Sequence, residues 1–355
     1  MKTVKYNVIG LMSGTSCDGL DIANCIFWKD KRKWCYEIKK TKSINYNKSF
    51  KKKLLTCYKM NAYDLKKLDL EFGNYMLIHI KDFISENNII PDLISSHGHT
   101  VFHNIKEKIS HQIGNPFVLY NGLNVPIVYN LRELDVIAGG QGAPLVPFGD
   151  KHLFSQYDYC VNIGGILNIS YTNNNTTYAF DVCPANTILN YFSRKLNLEF
   201  DDKGKIASTG RFIEKLYRDL NKISYYDSQG PKSLDIQYIE KNYFPLFKSY
   251  NVEDILNTYV EHIGHQLHKS LNKKRADVLL TGGGVFNEHL VRIIKNKDFK
   301  INFIIPDKKL TIFKESIIFG FLGLMRYLNK KNINNSVTGS SISSSSGIII
   351  NNKLY

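Results

Sequence analysis

Over residues 6–28 two apolar stretches flank a polar, glycine-rich break: YNVIGLM, then SGTSCDG, then LDIANCIFW. Apolar runs of strand length bounded by Gly and Ser predict two strands joined by a tight turn. Over about 46–87 the period lengthens. Leu65, Leu68, Phe72, Met76, Ile80 and Phe83 recur every three or four residues, which predicts a helical region with one buried face. A short strand over 91–96 then runs into HGHT. At 158–171 the opening pattern returns as YCVN, IGG and ILNISY, a second hairpin with glycines at its tip. At 277–290 an apolar strand, DVLL, meets TGGG and passes into the helical pattern VFNEHLVRII.

Two glycine-tipped hairpins, each opening a stretch of alternating strand and helix, predict a duplicated α/β architecture. The expected lobes are 1–150 and 151–355, with a helix near 314–329 able to pack back on the first. Residues 331–355 form a low-complexity tail rich in Asn and Ser, although Ile348, Ile349 and Ile350 favour a final docked strand.

A length of 355 residues with 43% hydrophobic content supplies two cores of ordinary size. No run of about 18 apolar residues is present, which excludes a membrane-spanning helix. Residues 1–10 lack the pattern of a secretory signal. The six cysteines, Cys17, Cys25, Cys35, Cys57, Cys160 and Cys183, make no CxxC pair. The expectation is a soluble cytoplasmic protein with no membrane partner. A net charge of +15 raises nucleic-acid binding as a reading. The lysines are scattered, however, and the densest run, Lys51-Lys52-Lys53, reads as a solvated helix face. No nucleic-acid partner is expected, and the positive potential suits an anionic nucleotide or sugar acid.

The glycine turns carry candidate chemistry. A phosphate chain needs several inward backbone N–H donors and no side chains in the way, which glycine turns provide. In SGTSCDG, Ser13, Thr15 and Ser16 add hydroxyls around Gly14 and Gly19, and Asp18 could hold Mg²⁺ through water. Neither GxxxxGK[ST] nor GxGxxG occurs. In TGGG the strand leads toward a helix, so Gly282, Gly283 and Gly284 could lie flat against an adenosine while the helix N-terminus favours anions. Two phosphate hairpins plus this turn resemble the superfamily of actin, hexokinase and the seventy-kilodalton heat-shock ATPases.

Further motifs stand between and after the hairpins: HGHTVFH at 97–103, NLRELD at 130–135, GGQGAPLVPFGDKHLF at 139–154, FDVCPAN at 180–186 and PKSLD at 231–235. Together with GLMSGTSCDGLD, NIGGILN and TGGGVFN, they resemble the anhydro-N-acetylmuramic acid kinase family in content and order, from Val8 to about Arg326. Val182 and Cys183 depart from a Thr-Gly pair beside the family's aspartate, and HGHT departs from HGQT at His99.

That resemblance implies a two-lobed, duplicated actin/hexokinase-like (ribonuclease H-like) fold with ATP in the interlobe cleft. It implies a kinase that opens the anhydro sugar with water and phosphorylates O6, with ATP and Mg²⁺ as cofactors. The implied partners are ATP and the small anhydro amino sugar, and the implied assembly is a homodimer. Asp181 matches the catalytic base. The first hairpin, with Gly14, Thr15, Ser16, Cys17, Asp18, Gly19, Leu20 and Asp21, would hold phosphates, as would Asn162, Gly164 and Gly165. Gly282, Gly283, Gly284 and Asn287 would complete the nucleotide side, and His97, Thr100, Arg132 and Glu315 the sugar side.

Other readings compete. His97, His99 and His103 have the spacing of a metal triad, but no carboxylate-rich motif accompanies them. His262, His265 and His268 recur at helical spacing and read as a surface or interface stripe. Cys17 reads as a small packed thiol ahead of a redox-sensitive one. For the whole chain the alternatives are a non-enzymatic actin-like ATP-binding module and a kinase for another sugar.

Overall fold

Strands β1 (Lys5–Ser13) and β2 (Gly19–Asp30) bury side chains in near-continuous succession, Val8, Ile9 and Leu11 facing Ile22, Ala23 and Cys25. Strands of that kind are covered on both faces. The computed structural model that shows this describes residues 3–14, 17–228, 232–298 and 300–351. β1 and β2 pair antiparallel from Lys5↔Trp28 to Ser13↔Leu20, and β3 (Lys33–Asn45) extends the meander. Helices Lys48–Thr56 and Ala62–Asn87 then lead to β4 (Leu93–Ser96), which runs parallel to β1. The longer helix buries Leu68, Phe72, Met76, Ile80 and Phe83, as its apolar spacing predicts. Asn61 caps its start by accepting from the Asp64 N–H at 2.9 Å. A separate hairpin, β5 (His99–Asn104) and β6 (Ile109–Ile113), precedes β7 (Ile127–Tyr129), which runs parallel to β4.

The second sheet repeats this plan. β8 (Tyr159–Ile163), β9 (Ile166–Asn173) and β10 (Thr176–Pro184) form an antiparallel meander. β11 (Ala276–Thr281) lies parallel to β8, and β12 (Ile301–Ile304) parallel to β11. The strand orders, β3-β2-β1-β4-β7 and β10-β9-β8-β11-β12, are the same, so the duplication read from the hairpins extends through both sheets. In each, parallel pairing brings the first hairpin tip and the end of the fourth strand to one end of the sheet. β13 (Ile348–Ile350) adds an antiparallel edge strand on β7.

The chain divides into two compact units, residues 1–154 with 313–355, and residues 155–312. This revises the expected 151–355 lobe: the C-terminal stretch belongs to the first unit. The reason is close packing on β1 and β4. In helix Lys308–Tyr327 the Gly320 backbone lies so near that a Cβ on Gly10 would fall 2.8 Å from its nitrogen. The Ser95 hydroxyl donates to Phe319 O at 2.7 Å. The Ser-rich tail is held by buried Asn332, whose side chain donates to Ser346 O at 2.8 Å and accepts from Ser346 N at 2.7 Å.

The histidine stripe on helix Val252–Lys269 also departs from expectation. His262 is fully buried, accepting from the Tyr226 hydroxyl at Nε2 (2.8 Å) and donating from Nδ1 to Asn221 Oδ1 (2.8 Å). Burial pushes it down to about 3, so it is a neutral core histidine. It does not lie on the surface.

Candidate active site

In the first unit the β1–β2 turn places Cys17 at φ 51° with its side chain buried, and its N–H bonds Gly14 O at 3.1 Å. Burial raises the Cys17 thiol to about 11, so it is a packed, protonated group. Thr15 and Ser16 lie outside the described residues. Asp18 is exposed and its carboxylate pairs with Lys51 at 2.6 Å. Leu20 is buried in the core, so any contribution it makes to a ligand is through its backbone. Gly19 has a structural reason: a Cβ there would stand 3.1 Å from the Ile44 carbonyl carbon and closer still to its oxygen. Asp21 accepts from the Ser43 hydroxyl, and burial lifts its carboxyl above the usual range. Behind the turn Tyr46 donates to Ser13 Oγ at 2.8 Å, and the His99 ring lies 3.5 Å from Ser13 Oγ and 3.8 Å from Cys17 Sγ.

At the end of β4, the His97 N–H bonds Leu11 O at 3.1 Å, continuing the β1–β4 pairing. Arg132 donates from Nε to His97 Nε2 at 2.8 Å and from Nη1 to Gly142 O at 2.7 Å, and its cation lies over Phe319. Since Arg can only donate, His97 carries its proton on Nδ1 and gives it to Gly98 O at 2.8 Å. Burial and then the Arg132 charge hold His97 well below the imidazole range. Both its ring nitrogens are thus engaged, and His103 is exposed, bonded to Ser110 at 3.2 Å, so the three histidines do not converge as metal ligands. Burial lowers Arg132 to about 10, opposed by Glu315 and Asp135. Glu315 is half-buried and raised by burial, against the charges of Lys314 and Arg132. Thr100 is half-buried opposite Gln112 in the β5–β6 hairpin.

Sequence reasoning missed three parts of this cluster. Asp135 accepts from Gly142 N at 2.7 Å and Thr338 Oγ1 at 2.8 Å, which fixes the GGQG loop. Phe319 packs against His97 at 4.6 Å between ring centroids. Lys314 and Asp150 form a buried ion pair at 3.0 Å. The aspartates stood inside quoted motifs; Lys314 and Phe319 carried no local signal.

In the second unit the β8–β9 tip, Gly164 and Gly165, accepts the first N–H groups of helix Asn186–Lys195: Asn186 N to Gly164 O at 3.1 Å, Thr187 N to Gly165 O at 3.1 Å. Asn162 lies beside Gly282, whose absent Cβ would fall 2.5 Å from Asn162 Oδ1. After β11 a 3₁₀ turn, Gly283–Phe286, intervenes before helix Glu288–Lys297, so the strand does not enter the helix directly. Asn287 caps that helix, accepting from Leu290 N at 2.9 Å. At Gly283 a Cβ would meet, among the described residues, only Asn186 Nδ2, at 3.9 Å, leaving an open backbone face.

Asp181 stands at a β-bulge of β10, a feature that re-aims side chains. Its Oδ2 accepts from Leu234 N at 2.9 Å, its N–H bonds Lys232 O at 2.9 Å, and the Tyr225 hydroxyl donates to its carbonyl at 2.6 Å. Burial raises its carboxyl, with the Leu234 N–H opposing. Pro231, of the PKSLD motif, lies outside the described residues, but Lys232 and Leu234 of that motif hold Asp181 through their backbone.

A cavity of about 400 Å³ in the same unit was not anticipated. Lys203, Gly204, Lys205, Ser208, Glu288, His289 and Arg292 line it. Lys203 and Glu288 pair at 2.9 Å. The cavity adjoins the glycine turn, because Gly204 packs against Asn287 and His289 so closely that a Cβ would reach 2.6 Å from His289 Cβ. Its polar lining combines three cations, Lys203, Lys205 and Arg292, with the Glu288 carboxylate, the Ser208 hydroxyl and the His289 ring.

The duplicated meander with two parallel strands, glycine turns at matching sheet ends and a strand-borne carboxylate define the actin/hexokinase-like class of ATP-using α/β proteins. Residues 6–352 match the family model described as anhydro-N-acetylmuramic acid kinase, and the chain belongs to that family. The enzyme of that name from Pelagibacter ubique is 32% identical, over 92% of this chain and 93% of its own. That from Francisella tularensis subsp. novicida is 30% identical, over 91% and 92%. Among solved structures, component A of Acidaminococcus fermentans (R)-2-hydroxyglutaryl-CoA dehydratase covers 91% of this chain and 99% of its own at TM-score 0.45 and 10% identity, too distant to bear on function.

Proposed function

We propose that this chain uses ATP and water to convert 1,6-anhydro-N-acetylmuramic acid into N-acetylmuramic acid 6-phosphate and ADP, a step in peptidoglycan recycling. The observation that carries the reading is Asp181, a half-buried carboxylate with one oxygen held by the Leu234 N–H. A base works best with its pKa raised toward the working pH. Asp181 takes a proton from water as that water's oxygen bonds the anomeric carbon. The C1–O6 bond breaks, and O6 takes the γ-phosphoryl group as ADP leaves.

Phosphoryl transfer asks the protein mainly for position and charge. Backbone at the Gly164–Gly165 tip and at Gly282–Gly284, with the Lys203, Lys205 and Arg292 cations, supplies this on the nucleotide side. In the first unit, the Gly14–Asp18 turn would add phosphate donors. Asp18 and Asp21 are the carboxylates there able to hold Mg²⁺ through water; the ion would arrive on ATP and offset phosphate charge. Arg132, fixed by His97 and Gly142, offers its cation to the lactyl carboxylate of the sugar, and Glu315 accepts from a sugar hydroxyl. The same reading places the enzyme in the cytoplasm as a homodimer, for which light scattering is the check.

Asp181→Asn tests the proposal. The variant should melt near wild type, bind ATP, and lose roughly 10²–10⁴-fold in turnover. In ¹⁸O water the wild-type product should carry label at the anomeric hydroxyl. Label in phosphate alone would mean ATP hydrolysis without ring opening, and the proposed reaction would fall.

A further inference from the structure

His289 is the second residue of helix Glu288–Lys297, lines the cavity beside the glycine turn, and is only 9% exposed. Arg292, one helical turn on, donates from Nη2 to His289 Nδ1 at 2.8 Å. A guanidinium has no acceptor, so Nδ1 is the accepting nitrogen and, in the neutral ring, the proton sits on Nε2. Burial, and after it the Arg292 charge, hold the ring below the usual imidazole range, which keeps it neutral near pH 7. The Nε2 atom is buried and meets no hydrogen-bond partner among the described residues. Buried donors without partners are uncommon, because water has been removed and nothing has replaced it. Of the cavity's remaining polar groups, Lys203, Lys205 and Arg292 suit phosphates, Glu288 is paired with Lys203, and the Ser208 hydroxyl already donates to Lys205 O at 2.7 Å. That leaves His289 Nε2 as the neutral donor of the lining with no partner among the described residues.

We propose that His289 reads the nucleobase: its Nε2–H donates to a ring nitrogen of adenine, and Arg292 is the positioning residue that fixes the tautomer. This rests on the ATP reading above. Adenine offers three unprotonated ring acceptors, N1, N3 and N7, and a single fixed donor engages one of them. Exchanging that nitrogen for CH leaves Nε2–H buried and unpaired again, whereas exchanging either of the others does not. A donor lost on the protein side should make the same nitrogen irrelevant.

Calorimetry with ADP and its 1-deaza, 3-deaza and 7-deaza analogues tests this on wild type, His289→Phe and His289→Gln. Wild type should bind one analogue about ten-fold more weakly than ADP and the other two nearly as well. His289→Phe should bind ADP about ten-fold more weakly and no longer distinguish that analogue, while His289→Gln, which keeps an N–H donor, should recover part of the difference. For Arg292→Leu, ¹⁵N chemical shifts of the imidazole should show the Nδ1–H tautomer gaining population, a change that mere loss of packing would not cause. Wild type binding all three analogues as tightly as ADP overturns the inference whether or not the variants fold. So does His289→Phe keeping the wild-type discrimination. If wild type binds no ADP at all, the ATP reading itself fails and takes this inference with it.

Discussion

Replacing the three consecutive glycines one at a time should separate folding from nucleotide binding, because their missing side chains face different things. Gly282 has φ +88°, and a Cβ on it would fall 2.5 Å from Asn162 Oδ1 and 2.8 Å from Ile163 O. Left-handed backbone costs a non-glycine residue roughly 1–2 kcal/mol, and overpacking typically about 1–3 kcal/mol more. Gly282→Ala should therefore lose roughly 2–5 kcal/mol. Gly284 lies outside the left-handed region, but its Cβ would stand 2.8 Å from Ile163 Cβ and 3.0 Å from Ile163 O. Gly284→Ala carries the overpacking cost alone, about 1–3 kcal/mol. At Gly283 neither cost applies, since φ is ordinary and the nearest atom is 3.9 Å away. Gly283→Val should melt within about 0.5 kcal/mol of wild type.

Ligand binding should rank differently. The valine side chain at residue 283 would occupy the open face where the nucleotide is proposed to lie, so ADP affinity should fall at least about ten-fold, or ~1.4 kcal/mol. Urea denaturation followed by tyrosine fluorescence reads the first ranking, and titration calorimetry the second. Gly283→Val that melts like wild type and binds ADP with unchanged affinity would refute the assignment of this turn to the nucleotide. Gly284→Ala with wild-type stability would refute the packing argument.

Four further outcomes follow from the same geometry. Lys314→Met should destabilise by about 3–5 kcal/mol because it removes the cation paired with the buried Asp150 carboxylate, and adding Asp150→Leu should restore most of that in denaturation experiments. Burial holds Asp181 above its ordinary 3.8, so the acid limb of kcat/KM should lie above pH 3.8, the rate falling as pH falls through the raised value. The folded form also holds that proton longer than the unfolded one, so Asp181 makes folding less favourable as pH rises from 3.8 through the raised value; Asp181→Asn should remove this slope from a pH series of melts. His99→Leu should raise KM for ATP more than His99→Gln, because glutamine keeps a polar partner for Ser13 and Cys17 behind the first turn; equal KM values would contradict a positioning role.

What could be read from the sequence was local. The helix Ala62–Asn87 announces itself because its core contacts repeat with the helical period, and the hairpins because their tips demand Gly. β3 gave no such signal: it is an edge strand carrying Lys33, Lys39, Lys40 and Lys42, and lysine on an edge is a common guard against strand-to-strand aggregation. The His97–Arg132 pair depends on β4 reaching the right register beside β1, which no spacing along the chain encodes. The cavity was invisible for a related reason. DDKGKIASTG reads as charged surface, and only the seating of Gly204 against Asn287 and His289 turns it into a wall. Two of the glycines have a packing reason that the sequence did not show: Gly19 and Gly284 lie against neighbouring backbone or side chains, whatever a ligand does.

Asp181 shows how geometry separates two meanings of one residue. An aspartate just ahead of a helix can instead serve as that helix's cap. The helix Asn186–Lys195 has Ala185 at its N-cap with no side-chain cap, and its first N–H groups go to the carbonyls of Gly164 and Gly165. Capping is thus done by the hairpin tip, which also ties that tip to the helix. Asp181 is left with a carboxyl that burial makes costly to ionise, and among the described residues no lysine or arginine forms an ion pair with it. The Leu234 N–H offsets part of that cost and fixes the orientation of one oxygen. A structural aspartate in such a place would be better replaced by asparagine or a small apolar residue, since neither carries a charge to desolvate. A carboxylate kept there, oriented through one oxygen and raised in pKa, has the properties required to take a proton from water and give it up again.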